Sequence, residues 1–79
     1  MDVMYLISVE RTVLEQFPIR LKSALKDAGM TQKDLAETAQ VFDGNISRYV
    51  NGKRYPSAIT LARIASVLNV STDYLLGLE

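Results

Sequence analysis

The chain contains no cysteine and no histidine. The first absence excludes disulfides, thiolate metal sites and thiol nucleophiles, and it fits a reducing compartment such as the cytoplasm. The second removes the commonest general base and the commonest metal ligand. Long apolar runs are missing as well. The longest, Val3–Ile7, falls far short of the roughly 20 residues a membrane-spanning helix needs. No basic stretch precedes it, so no secretion signal is expected. The acids Asp27, Asp34, Glu37 and Asp43 have no histidine, cysteine or glycine-rich phosphate loop around them. Solvated carboxylates on helix surfaces explain them, which leaves catalysis the least favoured function, with no cofactor or metal site expected.

What remains is a chain of 79 residues, enough for one small domain. A domain of this size buries only about 60% of its unfolded surface, so it depends on efficient helix packing or on a partner. The formal net charge is zero, but the charges are unevenly placed. Residues 20–63 carry eight Lys/Arg against four Asp/Glu, whereas the two ends carry one Arg against five acids. A basic middle with acidic flanks suits a surface that faces phosphates.

Apolar spacing along the chain predicts helices separated by short breaks. Met1–Ile7 reads as a short strand or an unstructured start. Ser8 is placed to cap a helix with Val9, Val13 and Phe17 on one face. Pro18 suits the first turn of a further helix that buries Phe17, Leu21, Ala24, Leu25 and Ala28 and stops at Gly29. Thr31 caps the next, with Asp34 three residues on as a loose capping box and Leu35, Ala36 and Ala39 inward. After a break, Ile46, Tyr49 and Val50 form the inner face of a helix whose outer face keeps Asn45, Ser47 and Arg48. Asn51-Gly52 closes it and a basic loop, Gly52–Pro56, follows. Ser57 caps a helix with Leu61, Ile64, Ala65 and Leu68 inward, reinforced by Ala58 and Ala62. Ser71 caps a last short helix, Thr72–Leu76, that stops at Gly77.

The segments TQKDLAETA, ISRYVNGKRYPS and LARIASVLNVSTDYLLG, in that order, resemble the helix-turn-helix domains of the lambda-repressor/Cro type, also called xenobiotic-response-element-like. The likeness runs from about Phe17 to Gly77. It implies an all-α fold: a compact five-helix lambda-repressor-like DNA-binding domain, preceded at residues 1–16 by an additional segment of short helix and/or strand. That segment either pads the core or contacts another chain. Leu78-Glu79 resembles the scar of a C-terminal tag, which puts the domain at 17–77. The resemblance assigns base reading to Asp43, Gly44, Asn45, Ser47 and Arg48. Arg48 is the strongest of these, because its planar fork matches O6 and N7 of guanine; Asn45 matches adenine in the same two-bond way. Phosphate contacts fall to Arg20, Lys22, Gln32, Asn51, Lys53 and Arg54.

The chain departs from the family pattern in three ways. Gln40 stands where the inter-helix turn usually has glycine, at a cost of roughly 1–2 kcal/mol if the left-handed conformation is kept. Phe42 occupies the usual capping position and cannot cap, so Asp43 is expected to cap and start the helix one residue late, away from the bases. Leu25 and Val50 replace an arginine and a glutamate that often pair in relatives. The function implied is sequence-specific binding of double-stranded DNA by a bacterial or phage transcriptional regulator, most often a repressor. Such a protein acts as a homodimer on a pseudo-palindromic operator. The alternative is a protein-binding module on the same fold, an antitoxin or adaptor, using the N-terminal extension.

Overall fold

Helix α1 sets the dimensions of the molecule. In the computed structural model, which describes residues 2–79, α1 runs unbroken from Val3 to Ala28. At about 1.5 Å per residue a helix of this length spans roughly 39 Å, and the longest extent of the molecule is 40 Å. Four shorter helices pack against its C-terminal half: α2 (Gln32–Ala39), α3 (Asp43–Val50), α4 (Ala58–Leu68) and α5 (Thr72–Leu76). The fold is all-α with five helices, and there is no strand among the described residues.

The N-terminal segmentation expected from the sequence is corrected by this helix. Residues 3–7 are helical, not a strand or an unstructured start, and Met1 lies outside the described residues. Asp2, not Ser8, caps the helix by accepting a 3.0 Å hydrogen bond from the Met4 N–H. Pro18 lies in the helix interior, where its ring nitrogen cannot donate to the carbonyl of Leu14. That carbonyl is supplied from elsewhere: the Tyr55 hydroxyl donates to it at 2.5 Å. Tyr55 also packs its ring 5.8 Å from that of Phe17. The carbonyl that the proline leaves without a helical donor is thus satisfied by a distant side chain.

The core is apolar throughout. Phe17, Leu21, Leu35, Ile46, Ile64 and Leu75 are fully buried, one or two from each helix, and the described residues include no buried polar or charged side chain. Leu25 and Val50 are both buried in this core, where they contribute apolar packing. Ala28, expected inward, is exposed just before Gly29 ends the helix. Ala58 and Ala62 are exposed too; they line a hollow between α2 and α4 rather than the core.

The cap at α2 is a full capping box: Asp34 N–H donates to the Thr31 hydroxyl and Thr31 N–H to the Asp34 carboxylate, each at 3.0 Å. The Thr31 backbone N–H, then the Thr31 hydroxyl, helped by Lys33, hold the Asp34 carboxyl below its usual value. Ser57 and Ser71 cap α4 and α5 as expected. Gln40 does keep the left-handed conformation, φ 57° and ψ 49°, with its N–H bonded to the Ala36 carbonyl. At the other end of the molecule, α5 docks on α1 so closely that a Cβ on Gly77 would lie 2.5 Å from the Cβ of Gln16.

Candidate nucleic-acid interface

Helices α2 and α3 form the hairpin of the fold, and small Ala36 and Ala39 are buried on α2. The inner face of α3 is anchored by Ile46, Tyr49 and Val50, all buried, with Tyr49 edge-on to Phe17 at 6.3 Å. Anchoring that face turns the other outward. Asp43, Ser47 and Arg48 are exposed and Gly44 and Asn45 half-exposed.

Three of the sequence-assigned residues meet in one cluster. Arg48, one turn after Asn45, donates to the Asn45 side-chain oxygen at 3.1 Å, and Arg54 from the following loop donates to the same oxygen at 3.3 Å. One amide oxygen thus gathers two guanidinium groups on the outer side of α3. An amide oxygen has two lone pairs, so both are engaged. To bind adenine through two bonds Asn45 must release these donors; in the arrangement observed it aims Arg48 and Arg54 instead. Arg54 and Asn45 also border a polar crevice of about 290 Å³ between α3, the loop and α4. Ser57, Thr60 and Arg63 complete its polar wall, and no carboxylate lines it. Sequence reading missed Arg63, which it counted only in the charge balance. Its spacing of three from Thr60 and six from the Ser57 cap was the available signal. A larger hollow of about 600 Å³ between α2 and α4 holds none of the assigned residues.

The start of α3 differs from expectation. Phe42 is the N-cap residue, with no side-chain capping bond, and Asp43 is already helical. Asp43 therefore does not cap, and the helix does not start late. Its carboxylate lies in the first turn, where the helix dipole favours a negative charge. Gly44 presents no side chain because the Phe42 ring occupies the space: a Cβ there would lie 2.5 Å from its nearest ring carbon.

The assigned phosphate contacts divide. Lys22, Gln32, Lys53 and Arg54 are exposed, Gln32 at the first position of α2. Asn51 turns its amide back to donate to the Ser47 carbonyl at 2.9 Å. Arg20 is committed within the chain. Its guanidinium donates to the carbonyls of Tyr74 and Glu79, both at 3.2 Å, and lies 4.7 Å over the Tyr74 ring. That engagement ties α5 and the C-terminal residues to α1.

The family pattern for helix-turn-helix proteins matches residues 21–75, and the chain belongs to that family. It is 47% identical over 58 residues to the HTH-type transcriptional regulator ImmR of Bacillus subtilis (strain 168). That match covers 73% of this chain and 46% of the relative, so the chain spans about half the length of the curated protein it resembles. The crystal structure of the restriction-modification controller protein C.AhdI from Aeromonas hydrophila superimposes with a TM-score of 0.73. The superposition covers 78% of this chain and 94% of that one at 22% identity, which establishes a shared fold. No helix among the described residues is long and apolar enough to cross a membrane.

Proposed function

We propose that this chain is the double-stranded-DNA-binding part of a transcriptional regulator, acting as a homodimeric repressor on a pseudo-palindromic operator. The observation that carries the reading is the outer face of α3, where Asn45 gathers Arg48 and Arg54 at 3.1 and 3.3 Å beside exposed Ser47. Arg48 presents its fork to base edges. Arg54 and Lys53 lie beyond the helix end, where backbone phosphates flank a helix lying in the major groove. The crevice lined by Arg54, Arg63, Ser57 and Thr60 suits a phosphodiester oxygen, being polar and free of carboxylates. The similarity to a transcriptional regulator across most of this chain agrees with the reading. Two copies related by a two-fold axis place two α3 helices about 34–36 Å apart on one side of a duplex.

Titration of duplex DNA at several salt concentrations tests this. Binding governed by phosphate contacts weakens steeply as salt rises, with a slope near −0.9 per phosphate neutralised. A second reading, a protein-binding module, draws on one observation: Val3, Met4, Tyr5, Leu6 and Ile7 are exposed at the start of α1. Absence of duplex affinity at low salt selects that reading and excludes the first.

A further inference from the structure

Phe42 is 66% exposed, yet it sits at the N-cap, immediately before the helix assigned to the bases. It makes no capping bond and contributes nothing to the buried core. Its ring instead reaches over Gly44, with three ring carbons 2.5, 3.0 and 3.2 Å from where a Cβ would stand. Only glycine admits the ring there, so Phe42 and Gly44 act together: the second position of α3 gives up its own side chain and Phe42 fills the vacated space. The ring borders hollows on both sides, one reaching Asn45 and Arg54 and the other Lys33 and Asp43, and neither covers it.

We infer that Phe42 is a specificity-determining residue that packs against the 5-methyl group of a thymine in the major groove. The inference rests on the DNA-binding reading above. The N-terminal end of such a helix is the end that reaches base edges. In the major groove the thymine methyl is the apolar group that projects from the base edges, beside the hydrogen-bond donors and acceptors. A polar capping residue at position 42 would satisfy a helix N–H; phenylalanine forgoes that bond and offers an apolar face toward the groove. Burying one methyl group against it accounts for about a fourfold gain in affinity for thymine over uracil.

The test replaces thymines with deoxyuridine, which removes the methyl and nothing else. A duplex selected from a random pool by the native protein is rebuilt with uridine at each thymine of the half-site in turn, and affinities are measured for the native protein, Phe42→Ala and Phe42→Leu. The expected result is one position at which uridine weakens native binding about fourfold, has no effect on Phe42→Ala, and has a reduced effect on Phe42→Leu. Native binding indifferent to uridine everywhere overturns the inference, as does a uridine effect of equal size in Phe42→Ala. Duplex binding with no uridine effect leaves the DNA-binding reading standing, whereas no duplex binding at any salt removes both.

Discussion

The side chains around α3 divide into those that touch only solvent and those already held by neighbours. Lys53 is exposed beyond the end of α3 and makes no side-chain hydrogen bond among the described residues. Lys53→Ala is expected to weaken binding to all duplexes alike and to reduce the salt slope by about one, read from titrations on cognate and scrambled DNA. Asp34 gives a pH-dependent prediction. Its carboxyl titrates below the unfolded value because Thr31 donates to the charged form. The stability it contributes is therefore present above the ordinary aspartate range and is lost as pH falls through its depressed folded value. Asp34→Asn should flatten that part of an acid-unfolding curve, and an unchanged curve would contradict the assignment. Legibility at this scale follows sequence distance. Thr31 and Asp34 are three residues apart and were readable as a pair, whereas Arg20 finds its partners 54 and 59 residues away. A lone arginine near the start of a helix gives no sign of such a commitment.

Helix boundaries show the same dependence on range. Thr31, Ser57, Ser71, Gly29 and Gly77 act through bonds within a few residues, and each marked its helix end correctly. The break expected at Pro18 failed because the hydroxyl that rescues the Leu14 carbonyl comes from 41 residues further on. Tyr55→Phe removes that donor while keeping the ring against Phe17. Water reaches this exposed bond, so the expected loss is moderate, about 0.5–1.5 kcal/mol, seen as a lower urea midpoint at unchanged slope. At the turn between α2 and α3 the opposite change is expected. Gln40 holds φ 57° with a side chain that disfavours it. Gln40→Gly should gain roughly 0.5–1 kcal/mol, the steric relief less the entropy glycine loses on folding. Phe42 also belongs to this scale. Its failure to cap was readable, but its packing over Gly44 was not, since the residue pair stands two apart and only a fixed helix start brings ring and glycine together.

As a whole the molecule is a small apolar core with its polar groups on the outside, arranged so that α3 is held by one face and open on the other. The charge pattern anticipated a basic middle of the chain, and Arg48, Lys53 and Arg54, on the side where α3 is open, belong to it. It did not anticipate the shape of that side, in which Asn45 draws Arg48 and Arg54 together across nine residues. The projecting start of α1 was the least legible part, since its apolar residues match no helical core position and are uncovered. We propose that the open face of α3 reads bases, with Arg48 as its principal contact. Selection of duplexes from a random pool, run in parallel with the native protein and Arg48→Ala, addresses it directly. The native protein should return a pseudo-palindrome with half-sites about one helical turn apart, and Arg48→Ala should lose the requirement at one base pair of each half-site, a discrimination of about 1–3 kcal/mol. A native pool without a consensus, or an Arg48→Ala consensus identical to the native one, would contradict it.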